Sequence, residues 1–116
     1  MTRNEAIAKT IYNQIGGRRF TVMTGAKDFI TIDNGLRFKI GRNGSKANMV
    51  EIKLNGSDLY DMEFIKFSPV HLSINHRKGT ADWKDEVRQT IRKFDDIYFD
   101  QLQELFTEAT GLYTHF

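Results

Sequence analysis

Apolar residues recur at two different spacings along this chain, and each spacing predicts a different kind of element. Near the N-terminus, Ile7, Ile11 and Ile15 lie four residues apart, so they share one face of a helix over residues 2–15. Thr2 has the residue type and position of an N-cap. Two consecutive glycines follow Ile15, as is common where a helix ends. The pattern therefore predicts an N-terminal helix.

Between residues 18 and 67 the spacing changes to an alternation of apolar and polar residues, which is typical of strands with one buried and one solvated face. The predicted strands are RRFTVM (18–23), DFITI (28–32), LRFKI (36–40), MVEIKL (49–54) and LYDMEFIKF (59–67). Turn residues separate several of them, and parallel strands would need longer crossover connections. We therefore predict an antiparallel meander of four to five strands.

The C-terminal third of the chain returns to a helical spacing. Its apolar residues step by three or four and form one long stripe: Trp83, Val87, Ile91, Phe94, Tyr98, Leu102, Leu105, Ala109 and Leu112. A helix of about 28 residues spans roughly 42 Å, so it would overhang the sheet or break near Asp95 and Asp96. We predict a single α+β domain over residues 1–116, with a loop at 68–80 and this long C-terminal helix packed on one sheet face.

Composition narrows the class of protein without naming an activity. The chain has 116 residues, of which 40% are apolar, and this suffices for one folded core. It contains no cysteine, which excludes disulfides, thiolate chemistry and cysteine-bound zinc. No apolar run is long enough to cross a bilayer, and the N-terminus lacks the apolar segment of a signal peptide. We therefore expect a cytoplasmic protein that does not enter membranes.

The residue patterns of common catalytic and metal sites are not found in the sequence. His71, His76 and His115 do not have the spacing of metal ligands, and the serines lack a nucleophile-elbow context. The segment GRNGSK (41–46) departs from the spacing of a nucleotide-binding phosphate loop and precedes a predicted strand. We therefore expect no metal or other cofactor, and a protein that is not an enzyme.

Charge is unevenly distributed, although the formal net charge is only +2. All 17 Lys and Arg residues lie at or before Lys93, together with 10 of the 15 Asp and Glu residues, so residues 1–93 carry +7 and the remainder −5. Such asymmetry indicates a basic contact surface beside an acidic element. An ordinary helix with an acidic outer face would give the same count.

The predicted hairpin 36–54 is the main candidate for a basic contact. Against a single acid, Glu51, it carries five bases: Arg37, Lys39, Arg42, Lys46 and Lys53. These bases, with glycines that let backbone N–H groups approach at the tip, have the chemistry to meet successive phosphates. The alternative is a hairpin that the bases merely keep in solution, paired with acids of the next strand. Further candidates are Arg18 and Arg19 after the first helix, and Lys84, Arg88 and Arg92, which would form a ridge on the long helix.

A resemblance to a known family rests on four segments: GGRRFTVMTGAKDF (16–29), FKI (38–40), DLYDMEF (58–64) and FTEATGLYT (106–114). They resemble a family of small uncharacterised proteins encoded by phages and conjugative elements of bacteria. The resemblance implies a mobile-element setting in a bacterial host cell and carries no assigned activity. Small proteins in such a setting often bind nucleic acid or inhibit a host defence complex. This expectation rests on the setting and not on particular residues of the chain.

Two functions follow as hypotheses. The first is a nucleic-acid-binding accessory protein of a mobile element, which contacts DNA or RNA phosphates through the basic hairpin. The second is a protein-binding module, such as an anti-CRISPR-like counter-defence inhibitor of a host or phage protein, or a self-associating structural protein that dimerises through the long C-terminal helix. Its interface would use the aromatic residues of the acidic segment: Tyr98, Phe99, Phe106 and Phe116.

Overall fold

The N-terminal helix is present as predicted. The computed structural model describes residues 2–113, and helix α1 spans Arg3–Ile15. The Thr2 hydroxyl accepts a hydrogen bond from the Glu5 backbone N–H at 3.1 Å, which caps the first turn. Gly16 follows the helix with a φ of 128°, a conformation that favours glycine. The helix lays its isoleucine stripe on the sheet, where Ile11 is fully buried.

A second helix, α2 (Gly17–Thr24), occupies the segment that was predicted as the first strand. That prediction is wrong. The buried positions of this segment are Phe20 and Thr24, which are one helical turn apart, while Val22 between them is exposed. The β-branched residues of RRFTVM favour a strand locally. Packing of Phe20 into the core outweighs that preference.

Five strands then form an antiparallel sheet, and two more form a separate ribbon. The strands are β1 (Lys27–Ile32), β2 (Gly35–Lys39), β3 (Met49–Leu54), β4 (Tyr60–Ser68), β5 (His71–Asn75), β6 (Thr80–Lys84) and β7 (Val87–Ile97). The main sheet has the order β1-β2-β3-β4-β7, and β5 pairs only with β6. A 3₁₀ turn (Phe99–Gln101) leads into helix α3 (Leu102–Thr110). The predicted α+β class with an antiparallel sheet is therefore confirmed.

The predictions of a long C-terminal helix and of a loop at 68–80 are wrong. Residues 80–84 and 87–97 are strands, β5 occupies part of the predicted loop, and the helix is only Leu102–Thr110. The apolar residues that suggested a helical stripe do not share one environment, since Trp83 and Val87 are exposed while Leu102 is fully buried. Strand β7 keeps its pairing with β4 through two irregularities in the register, and these bulges mimic a helical spacing in the sequence.

The core lies between one face of the main sheet and the three helices. Alternation along β2, β3 and β4 sends the predicted apolar residues to this face. Four phenylalanines from different elements meet there: Phe20, Phe38, Phe64 and Phe106, all fully buried. The rings of Phe20 and Phe106 are 4.9 Å apart and nearly perpendicular, a favourable aromatic contact. None of the helices in residues 2–113 is both long and apolar enough to cross a membrane.

The β5–β6 ribbon extends away from this core. We call it, with its turn, the arm (residues 71–84). The radius of gyration is 16.2 Å, against about 13 Å for a compact domain of this length. The longest dimension, 52 Å, is more than twice the shortest, 23 Å. In the arm every strand residue except Ser73 is exposed, so among the described residues its strands are supported only by each other.

Candidate interaction surfaces

A buried carboxylate organises the open face of the main sheet. Glu51 lies on the face that the alternation predicts to be solvated, yet it is only 3% exposed. Arg37 on β2 donates to it from Nε at 2.8 Å, and Arg88 on β7 donates from Nη2 at 2.8 Å and from Nη1 at 3.1 Å. Burial raises the pKa of Glu51, but the hydrogen bonds and charges of Arg88 and Arg37 outweigh it and leave the net pKa below its usual value.

This arrangement removes much of the predicted basic face. Arg37 is held by Glu51, and the Lys39 ammonium lies 3.6 Å from Asp28. Lys53 is directly opposite Asp61 in the β3–β4 register. Acids of adjacent strands therefore interleave with the three outward bases of the hairpin, but only Asp61 belongs to the next strand, which the alternative interpretation named as the source of the acids. The predicted continuous row of phosphate-binding bases is not formed on this face.

The connection between β2 and β3 is a folded loop (residues 40–48) rather than a tight turn. The Asn43 side-chain amide donates to the carbonyl oxygens of Gly41 and Ala47, both at 2.8 Å, and its oxygen accepts from the Ser45 backbone N–H at 2.8 Å. The Gly44 N–H donates to the Thr110 carbonyl oxygen at 2.9 Å. The sequence analysis predicted that glycine N–H groups at the tip approach phosphates. The Gly44 N–H is not free to do so, because it already donates to the carbonyl oxygen of Thr110 in α3.

Two bases of this loop differ from those on the sheet face. Arg42 and Lys46 are exposed, and in the part of the chain that the structure describes no carboxylate lies within 4.0 Å of either. The Asn48 side chain exchanges two hydrogen bonds with the Phe67 backbone, at 2.7 and 2.8 Å, which places the loop at the end of β4 that leads into the arm. This end of the loop therefore lies near the base of the arm, whereas the segment between Arg42 and Lys46 is held by α3 through the Gly44 N–H.

The other predicted bases do not form one surface. Arg18 and Arg19 are exposed on α2 beside an apolar side chain, Val22. The predicted ridge of Lys84, Arg88 and Arg92 is wrong because those residues lie on strands. Arg88 points to Glu51, and Lys84 lies on the arm.

Arg92 lies on the opposite, helix-covered side of the sheet from Arg88. It donates to Glu108 of α3 at 3.1 Å and stacks over the Phe94 ring at 4.6 Å. It therefore fastens β7 to α3.

The predicted aromatic interface is only partly exposed. Tyr98 and Phe99, at the start of the 3₁₀ turn, are 60% and 59% exposed. Phe106 is fully buried in the phenylalanine cluster, so its assignment to an interface is wrong. Phe116 lies outside the described residues. Dimerisation through a long C-terminal helix is also wrong, because α3 is short and its apolar side faces the core.

The arm is the surface that the sequence analysis missed. Leu72 pairs with Trp83 and Ile74 pairs with Ala81, so all four side chains lie on one face of the ribbon. Trp83 is 72% exposed, Ile74 55% and Leu72 46%. The sequence does contain a hairpin pattern here, since HLSIN (71–75) and TADWK (80–84) alternate apolar and polar residues on either side of a turn that contains glycine. The Trp83–Val87–Ile91 spacing favoured a helix and concealed it.

Comparison with known proteins adds no relative. The chain matches no protein-family model, and neither a curated protein nor a solved structure is significantly similar to it.

Within residues 2–113 the structure contains no cluster of three or more histidine, aspartate or glutamate side chains arranged to hold a metal ion.

Proposed function

We propose that this chain is a protein-binding module that acts by association, not catalysis, and that the apolar face of the arm is its contact surface. The observation that carries the proposal is the exposed cross-strand pair of Leu72 and Trp83 on a ribbon that no other layer supports within residues 2–113. Trp83 is the only tryptophan of the chain. Large aromatic residues of this kind are enriched at the energetic centres of protein interfaces.

The energetics of the arm favour a covered face. An isolated two-stranded hairpin is at best marginally stable in water, and here its larger side chains face solvent and not a core. Burying a side chain of the size of Leu or Ile contributes about 1.5–3 kcal/mol relative to full exposure. Because Leu72, Ile74 and Trp83 are about half or more exposed, about half or more of that contribution is still available to a partner.

Nucleic-acid binding is the second candidate, and one observation favours it. Arg42 and Lys46 are exposed, and no carboxylate of the described residues lies within 4.0 Å of either. Arg77 and Lys78 at the turn of the arm are exposed as well. A nucleic acid that contacted these bases would bind less tightly as salt concentration rises. The sheet-face bases contribute less to this candidate, because Glu51 and Asp28 hold Arg37 and Lys39. The phage or mobile-element setting and the cytoplasmic location accompany both candidates as proposals.

Site-specific photo-crosslinking tests the proposal. A benzophenone amino acid replaces Trp83 in one variant and Val22 in the matched control, since the two side chains are 72% and 70% exposed on different surfaces. Both variants are irradiated in the cells that naturally make the protein. We expect discrete protein adducts at position 83 that are missing at position 22. Adducts of equal yield at both positions, or none, would contradict an interface on the arm.

Nuclease treatment of the same samples separates the two candidates. A position-83 adduct whose mobility changes on nuclease digestion would overturn the protein-binding proposal and support the second candidate. In that case the double variant Arg42→Ala/Lys46→Ala weakens retention on DNA or RNA at low salt, while Lys9→Ala, an exposed base on α1, serves as the control for general charge loss.

A further inference from the structure

We infer that the partner of the arm is a second copy of this chain, with the two arms packed face to face and pointing in opposite directions. This inference rests on the proposed function, because it assigns an occupant to the same apolar face. The occupant follows from two features of the arm itself. One is the shape of its apolar stripe, and the other is the order of charges along its length.

The apolar stripe can pack against itself. Two cross-strand pairs, Leu72 with Trp83 and Ile74 with Ala81, form a short strip with the tryptophan toward the base of the arm and the smaller alanine toward the tip. When two such strips meet about a two-fold axis, the base of each faces the tip of the other. The bulky Trp83 of one protomer then lies over the Ala81 end of its partner, so large residues meet small ones at both ends. Interfaces of this isologous kind are the commonest in homodimers.

The charges of the arm, like its apolar side chains, differ between its tip and its base. Its tip carries Arg77 and Lys78, positioned by two backbone hydrogen bonds to the Asn75 side chain at 3.1 and 3.2 Å. The two residues that follow its base are Asp85 and Glu86. Lys84, the basic residue beside them, alternates with Trp83 and therefore lies on the other face of the ribbon. The two bases of the tip and these two acids are all exposed, and no ion pair within 4.0 Å involves any of the four in the described part of the chain.

When the two arms point in opposite directions, the dimer contains two equivalent contacts, each between the basic tip of one arm and the acidic base of the other. Arg77 and Lys78 of each protomer face Asp85 and Glu86 of the other, so both pairs of charges gain ion-pair partners that they lack among the described residues of one chain. Arms that point in the same direction would instead place like charges together, which is destabilising. The charge order thus selects the antiparallel arrangement among the ways in which two apolar faces can meet.

The size of the arm sets the strength of this association. Strands of five residues are about 17 Å long, so the two faces bury only a few hundred Å² per protomer, less than the roughly 800 Å² of a standard interface. We therefore expect a weak dimer with a dissociation constant in roughly the micromolar range. Its formation should depend on protein concentration and, because of the tip-to-base contacts, on salt.

Complementary charge reversal tests the arrangement. The tip variant, Arg77→Glu/Lys78→Glu, makes tip and base both acidic, and the base variant, Asp85→Lys/Glu86→Lys, makes both basic. Each variant alone should dimerise at least about tenfold more weakly than the wild type, because like charges then meet at both contacts. An equimolar mixture should recover association to within about threefold, since the heterodimer has opposite charges at both contacts. Sedimentation equilibrium over a wide concentration range measures all four samples.

Two further measurements keep the result specific to the arm. Trp83 is the only tryptophan, so its fluorescence should shift to the blue and become less accessible to acrylamide as the dimer forms. The matched control Arg18→Glu/Arg19→Glu reverses two exposed charges on α2, away from the arm, and should dimerise as the wild type does. Unchanged circular dichroism of every variant shows that the fold is retained.

The outcomes separate this inference from the proposed function. A wild-type protein that stays monomeric throughout, or a mixture that fails to associate better than its two components, would overturn the arm-to-arm dimer. The proposed function would still stand if position 83 crosslinks to a different protein. A crosslink at position 83 with twice the mass of the chain, together with rescue in the mixture, supports both.

Discussion

Removal of the Glu51 charge provides a quantitative test of the sheet-face network. In the variant Glu51→Gln the side chain keeps its shape but loses the charge that holds Arg37 and Arg88. Glu51 accepts three hydrogen bonds from these guanidinium groups at 2.8–3.1 Å, and its side chain is only 4% exposed. The arginine side chains are 36% and 41% exposed, so water can partly solvate them after the change.

The expected cost lies between two limits. Leaving a fully buried charge without its partner costs about 3–5 kcal/mol, whereas an exposed ion pair contributes about 0–1 kcal/mol. Because the carboxylate is buried and the two arginines are half-exposed, we expect Glu51→Gln to lower the free energy of unfolding by about 2–3 kcal/mol at neutral pH. The matched control is Glu108→Gln, which removes a carboxylate that is 54% exposed and meets one arginine at 3.1 Å. It should cost less than about 1 kcal/mol.

The stabilisation by Glu51 should depend on pH, and the direction follows from the pKa of its carboxyl group. The pKa of Glu51 is lower in the folded chain than in the unfolded one. The stabilisation is therefore complete above the unfolded-state pKa and is lost as pH falls through the folded-state pKa. Urea unfolding followed by circular dichroism should show the wild type and Glu51→Gln converging in acid. A variant no weaker than Glu108→Gln at neutral pH, or a deficit that persists after the carboxyl is protonated, would refute this account.

Three other substitutions probe the core, the sheet and the loop. Phe106→Ala should cost about 3–5 kcal/mol in urea unfolding, because its ring is fully buried against three other phenylalanines. Gly35→Ala should cost at least about 1–3 kcal/mol, because an added Cβ would lie 2.1 Å from the Ile52 carbonyl oxygen. Asn43→Ala should cost about 1–2 kcal/mol and speed hydrogen exchange at the Ser45 amide, which donates to the Asn43 side chain at 2.8 Å.

The strands whose apolar residues alternate without interruption were predictable from sequence. In β2, β3 and β4 the predicted inward residues are buried except for Leu54, which is half-buried, and the predicted strand limits agree with the observed ones to within one residue at every end. Helix α1 was predictable for a similar reason, since its isoleucine spacing, cap and terminal glycine all indicate the same element. In these segments local preference and tertiary packing agree.

The C-terminal half was mispredicted where two periodicities coincide. Residues four apart share a face in a helix, but they also share a face in a strand because four is a multiple of two. The bulges of β7 add single residues and turn steps of two into steps of three, as between Phe94 and Ile97, where Asp96 adopts a φ of 55°. Sequence spacing alone therefore cannot separate a bulged strand from a helix here. Cross-strand pairing with β4 decides for the strand.

The sheet-face charges show a different limit of sequence reasoning. The alternation along β3 correctly placed Glu51 opposite the apolar residues, but it carried no information on which bases approach it. Arg88 is 37 residues away in sequence and reaches Glu51 only because β4 and β7 pair beside β3. A count of bases along one hairpin thus overstated the positive surface.

The same topology explains why the arm is the more informative surface. Strands β4 and β7 pair as far as Ser68 and Val87, and the chain then continues outward as β5 and β6, which none of the described helices covers. On the main sheet, each outward base that meets an acid stabilises the fold and has less charge to offer a ligand. On the arm, the apolar face and the four charges at its tip and base have no such partner within the described chain. Groups that the fold leaves unsatisfied are the ones on which binding can act.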